Sequence, residues 1–196
     1  PALALTDLAQ SGVERTVLDT FDNSRCAADI RFDNAEAALL PRAGDAMSAA
    51  RDILRLQALI VSFEQVGGAQ KMLDTERDYA LTRRAFGQPI GAFQSVKHRI
   101  AEGYVLVELA RANAVHAATR VHESDFGLYV AAARLSATEA YDSVSRDAVQ
   151  IHGGIGVTWE ADLHLHQRRA RTLAVETGSL PFWEDEVICE LQGVSA

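Results

Sequence analysis

The stretch Tyr79 to Val96, YALTRRAFGQPIGAFQSV, carries residue types suited to holding an anion beside a flat ring. Arg83 and Arg84 fall where a helix should end, just before a turn containing Phe86, and Gln94 follows. An arginine fork matches a phosphate or pyrophosphate, and an aromatic ring covers a planar base or an apolar edge. The same residues also suit a basic helix C-terminus that complements the helix dipole, with Phe86 plugged into the core. A second stretch, Gln150 to Glu160, QIHGGIGVTWE, has glycines that let a ligand or another backbone approach closely. It lacks the GxGxxG spacing and follows a helical pattern, so it is not a dinucleotide fingerprint. A helix cap and tight turn would use the same glycines.

Other polar clusters point less clearly to chemistry. His164 and His166 lie two apart in DLHLHQRRA, which on a helix turns them about 200° from each other, and no further His or Cys group joins them. That spacing argues against a metal site. The run Gln167 to Arg171 reads as a helix surface or interface whose arginines meet carboxylates on neighbouring chains. Cys26 and Cys189 are far apart without CxxC spacing, as expected of reduced thiols.

The elements that must position these residues change period near residue 44. Before it, ERTVLD, CAADIRF and AALLP alternate with a period near two, and the connectors FDNSR and DNAE are rich in turn-forming Asp and Asn. Three short strands are too few for a stable sheet. Residues 1–44 are therefore expected to finish a sheet begun upstream, and residues 45–196 to form a separate helical bundle. Pro1 in place of an initiator methionine, and an opening PALALTDLAQ without turn or capping logic, fit a piece of a longer chain.

After Pro41 and Gly44 the spacing predicts a long helix from about Ala46 to Leu81, with Ile53, Leu56, Ile60, Phe63, Gly67, Met72 and Leu81 on or near one stripe. Phe86-Gly87-Gln88-Pro89 should break it. A second helix is expected from about Ser95 to Glu123, packing through Val96, Ile100, Tyr104, Val107, Leu109 and Ala114. A third should run from about Asp125 to Ile151 and be closed by Gly153. Two shorter helices are expected at Ala161 to Leu173 and Pro181 to Leu191.

Bulk properties narrow the class. At 196 residues, 48% hydrophobic and 23% charged, the chain has enough apolar material for one core or a core with a small annex. A net charge of −8 gives a nucleic-acid backbone nothing to neutralise. No run approaches the roughly 20 apolar residues of a membrane span, and no signal core is present, so the expected location is cytoplasmic.

Together the two chemistry-bearing stretches resemble the acyl-CoA dehydrogenase family, whose C-terminal helical domain carries YAxxRxxFGxxIxxxQ and, further on, QxxGGxG followed by a glutamate. The matches are Tyr79, Ala80, Arg83, Phe86, Gly87, Ile90 and Gln94, then Gln150, Gly153, Gly154, Gly156 and Glu160. The resemblance extends over about Arg51 to Ala174 and implies a mainly α fold, an up-and-down helical bundle preceded by the last strands of a middle β-domain. It also implies FAD at a subunit interface of a homo- or hetero-oligomer, a dimer or tetramer. Arg83 would then lie on the pyrophosphate, Phe86 and Gln94 beside the cofactor, and Gln150, Gly153 and Gly154 against its adenosine side. Ala85 departs from the small hydroxyl residue of many relatives, which removes one phosphate contact.

The resemblance further implies oxidation of an acyl-CoA thioester to the 2,3-enoyl form, with electrons passed to an electron-transfer flavoprotein, in fatty acid or steroid catabolism. In the family a glutamate removes the α-proton while flavin N5 accepts the β-hydride. Counted from GGIG, the base position falls on Thr177, with Glu176 one place early; the alternative helix position falls on Gln57, with Glu64 two turns away. Glu176 is the candidate base, and its alternative role is a solvated or ion-paired carboxylate near Arg171. A chain with flavin-side motifs but no base would suit one member of a paired, heteromeric enzyme of the bacterial steroid side-chain degradation kind. A non-catalytic helical partner that completes a flavin site is the remaining alternative. Without the upstream domains, this stretch alone is expected to be inactive.

Overall fold

A computed structural model of the chain describes residues 2–40 and 45–193. It divides into two compact units, Pro1–Leu54 and Arg55–Ala196. The predicted break at Pro41 and Gly44, and with it the expected boundary at 44, lies outside the described residues.

In the first unit, β1 (Ala4–Leu5) pairs antiparallel with β4 (Ala38–Leu39), and β2 (Val13–Leu18) with β3 (Ala27–Phe32). The register runs from Val13 opposite Phe32 to Leu18 opposite Ala27. Residues opposite one another share a face, so Val13, Arg15 and Val17 line up with Phe32, Ile30 and Ala28. Two-stranded ladders have no second layer to cover such a face, and Val17, Ile30 and Phe32 stay exposed. Strand β1 supplies β4 with a partner inside a segment that carried no sequence signal.

The remaining chain is helical. The long helix α1 (Ala46–Thr82) begins in the first unit and continues through the second. It is followed by α2 (Gln94–Thr119), α3 (Phe126–His152), α4 (Leu163–Glu176) and α5 (Leu180–Gln192). α2 is shorter than expected: it stops at Thr119, where the chain turns and Arg120 pairs with Asp125 at 2.9 Å. Gly153, at φ +62°, closes α3, and its amide reaches the carbonyls of Val149 and Gln150.

The stripe expected to face the core of α1 is largely turned outward. Met72 is fully buried, but Ile53, Leu56, Ile60, Phe63 and Leu81 are exposed in this chain. The buried line instead contains Ala58, Leu59, Val61, Val66, Ala69, Met72, Leu73 and Ala80, together with Ser62 and Gln65. α1 has two apolar faces, and periodicity alone cannot say which one turns inward. Small residues win because α3 approaches closely: a Cβ on Gly68 would lie 2.4 Å from Tyr141 Cζ. On α2, Val107 and Ala114 are buried as expected, while Tyr104 and Leu109 are exposed.

Polar groups inside this unit are tied between helices. Gln65 donates to Thr138 Oγ1 at 3.1 Å and accepts from the buried Arg134, which also donates to the Leu173 carbonyl at 2.9 Å. Burial pushes the Arg134 guanidinium down to about 10, with Glu176 opposing the shift. Arg55 clamps α5 through Glu186, at 3.2 Å, and Glu190.

Candidate functional site

The two sequence stretches meet at one end of the bundle. The Tyr79 ring stacks on His152, with centroids 4.0 Å apart and planes 20° from parallel. Arg83 lies one turn beyond Tyr79, and Gly153 directly follows His152. The C-terminal ends of α1 and α3 are thus joined, and α2 starts beside them.

Between α1 and α2 the chain makes a tight ribbon, β5 (Arg84–Ala85) against β6 (Gln88–Pro89), around a two-residue loop. Both loop residues take positive φ, +51° at Phe86 and +82° at Gly87, the combination that matches ribbon twist. Glycine adopts it freely, whereas a bulky aromatic does so at a cost of about 1–3 kcal/mol. Phe86 is 95% exposed, so the core-plug role fails: the turn projects the ring outward, leaving only an edge contact with Phe93 at 6.1 Å. Arg84 braces the loop by donating to the Gly87 carbonyl at 3.2 Å.

Arg83, Phe86, Gln94, Gln150, Gly153 and Gly154 are all exposed. Among the described residues, the Arg83 side chain makes no ion pair, which leaves a permanent cation open to an anionic ligand. Gln94 approaches His98 Nε2 at 3.4 Å and otherwise faces solvent. At Gly153 and Gly154 an added Cβ would meet nothing within 4 Å, so no packing within this chain requires glycine there. A bare backbone facing open space, beside an unpaired arginine and an outward aromatic, fits a flat molecule carrying a pyrophosphate.

The candidate base stands elsewhere. Glu176 is exposed as the last residue of α4, whereas Thr177 is buried with a hydroxyl that finds no hydrogen-bond partner among the described residues. Arg171, the expected neighbour of Glu176, instead pairs with Asp142 at 2.6 Å. Gln57 is exposed on α1, and Glu64 accepts from Arg169 at 2.7 Å. The two histidines diverge: His164 packs edge-on against Trp159, and His166 Nδ1 lies 2.9 Å from the Tyr141 hydroxyl. Burial pushes the His166 pKa down, with Lys71 adding to the shift. Glu160 sits on the surface, its carboxyl held low by its own backbone amide and by Thr158.

The family model "Acyl-CoA dehydrogenase, C-terminal domain" matches residues 44–181. The chain belongs to the acyl-CoA dehydrogenase family. Acyl-CoA dehydrogenase IpdE2 of Mycobacterium tuberculosis is 38% identical over 154 residues, covering 77% of this chain and 43% of that protein. The Mycolicibacterium smegmatis protein of the same name is 37% identical over 163 residues, 83% of this chain and 51% of its own length. The chain therefore spans about half the length of those relatives.

Among solved structures, the ChsE4-ChsE5 complex from Mycobacterium tuberculosis superposes with a TM-score of 0.86 at 29% identity, covering all of this chain and 53% of that one. Glutaryl-coenzyme A dehydrogenase in its glutaryl-CoA complex gives 0.87 at 29%, covering 94% and 48%. The mainly helical fold and the family resemblance of the sequence are both borne out. Among the described residues, no helix is long and apolar enough to cross a membrane. The residues missed by sequence reasoning are His152, which joins the two motifs, and Arg134, which sits beneath the α4–α5 turn. Neither has a distinctive sequence setting, since a buried arginine and a stacked histidine look like surface residues until helices are placed.

Proposed function

We propose that the chain is the C-terminal part of a subunit of an FAD-dependent acyl-CoA dehydrogenase, and that it contributes contacts to the FAD pyrophosphate and adenosine. The observation that carries this assignment is the Tyr79–His152 stack, which gathers Arg83, Phe86 and Gln94 with Gln150, Gly153 and Gly154 at one bundle end. Residues 1–44 are assigned to the end of the middle β-domain and residues 45–196 to the helical domain. When bound, FAD supplies the hydride acceptor; the chain's own part is to anchor its charged and adenosine ends and orient it across a subunit interface. The substrate is an acyl-CoA thioester, and the electrons leave to an electron-transfer flavoprotein.

The source of the base distinguishes two forms of this assignment. Glu176 is the carboxylate at the α4–α5 turn, but the counted base position belongs to Thr177, whose side chain is buried. That burial favours a paired assembly in which a homologous partner supplies the base, as suits bacterial steroid side-chain degradation. A solved structural neighbour is likewise a complex of two named chains, ChsE4 and ChsE5.

Acyl-CoA oxidation by the full-length assembly, with an electron-transfer flavoprotein as acceptor, tests the assignment. Glu176→Gln is expected to leave turnover within about twofold, whereas a loss of about 10²–10⁴-fold would make Glu176 the base. A wild-type assembly that oxidises no acyl-CoA would refute the assignment itself.

A further inference from the structure

Glu76, on α1, is a fully buried carboxyl group whose two oxygens have no hydrogen-bond partner among the described residues. It lies where α1, α2 and α3 cross. A Cβ on Gly103 would come 3.6 Å from Glu76 Oε1, 3.2 Å from Val144 and 3.4 Å from Leu73, so the carboxyl group is tightly packed among apolar side chains. The charged groups acting on it are Arg99 from α2 and Asp147 from α3, and these two form an ion pair with each other. An unpartnered carboxyl group in apolar surroundings is tolerated only as the neutral acid.

The position of this cluster gives it a consequence for the site above. Glu76 lies on α1 seven residues before Arg83, which directly follows the last residue of that helix. Arg99 lies five residues after Gln94 on α2, and Asp147 three residues before Gln150 on α3. Each helix that sends a residue to the bundle end therefore also sends one to the cluster beneath it.

We propose that Glu76, Arg99 and Asp147 form a protonation-sensitive platform that positions the flavin-facing ends of α1, α2 and α3, so that flavin affinity depends on the proton held by Glu76. This inference rests on the flavin assignment of that end. With Glu76 neutral, Arg99 is committed to Asp147 and the three helix ends are held in one arrangement. Once ionised, Glu76 repels Asp147 and competes for Arg99, which strains or opens the crossing. Burial, with Asp147 adding and Arg99 opposing, pushes the Glu76 carboxyl up to about 8. Its proton is thus retained at neutral pH and lost above about pH 8. An opened crossing returns Glu76 to the ordinary carboxyl range, so ordering the helix ends for flavin takes up a proton between about pH 4.5 and 8; affinity falls as pH rises through that window and levels off above pH 8.

The test is a fluorescence titration of the flavin-depleted full-length assembly with FAD between pH 6 and 9.5, alongside thermal melts of the same samples. For the wild type, Kd should rise by up to about tenfold per pH unit between pH 6 and 8 and level off above pH 8, whereas Glu76→Gln should hold its pH 6 affinity throughout. Glu76→Met, which also lacks the charge, should behave like the glutamine variant. Parallel pH dependences in wild type and Glu76→Gln would overturn the proposal, as would a wild-type Kd independent of pH. A failure of the underlying assignment looks different: no FAD binds at any pH, and the inference falls with it. The melts distinguish that case, because Glu76→Gln would still outlast the wild type at pH 8.

Discussion

Replacing Arg83 by methionine is expected to weaken FAD binding to the full-length assembly about 10- to 150-fold while leaving its melting temperature nearly unchanged. A hydrogen bond to a charged group contributes about 1.5–3 kcal/mol, and a planar guanidinium on a pyrophosphate makes more than one such contact. Stability should hold because Arg83 is exposed and, among the described residues, makes no ion pair. Neighbouring Arg84 gives the contrast, since it already donates to the Gly87 carbonyl. Arg83→Lys should recover only part of the affinity, because an ammonium keeps the charge but loses the fork. Fluorescence titration with FAD and a thermal melt check both halves. A variant that melts early and binds FAD normally would assign Arg83 to the fold.

Gly154→Leu is expected to lower FAD affinity by at least about tenfold, or about 1.4 kcal/mol, again without loss of stability. An added Cβ at Gly154 meets nothing in the chain within 4 Å, and its φ is negative, so the fold itself accepts a side chain. Gly153 would be a poorer choice: its φ of +62° strains any other residue, so loss of flavin could follow from a distorted cap. The space beyond Gly154 is where the adenosine half of the cofactor is proposed to lie, and a leucine would fill it. Titration and melting again separate the causes. Normal FAD binding by the leucine variant would remove the glycine pair from the cofactor site.

Much of this arrangement was legible in the sequence where local chemistry decides the outcome. The Phe86-Gly87-Gln88-Pro89 break was visible because glycine and proline limit backbone choices directly, and the turn lies there. Gly153 closes α3 for the same reason. The period-two segments around Val13–Leu18 and Ala27–Phe32 did form a ribbon. What was hidden depends on neighbours distant in sequence. The inward face of α1 is chosen by close approach at Gly68, so the heavier apolar residues at Ile60 and Phe63 lost to alanines. Glu76 sits in TERDYA, a charged run that looks like a solvated helix face, yet it is buried at the crossing of three helices. Phe86 has two plausible roles from its type alone, and only its positive φ aims it outward. The base position could be counted to Thr177 and its neighbour Glu176, and only the fold shows that the first is buried and the second exposed.

Flavin content tests the central claim most directly. The full-length protein would be purified with and without a homologous partner chain, and FAD measured by absorbance against protein concentration. Retained, stoichiometric FAD is the predicted result: a flavin for every chain in a homomer, or for every pair of chains when the partner is required. Protein that folds and assembles with no flavin under either condition would contradict the account.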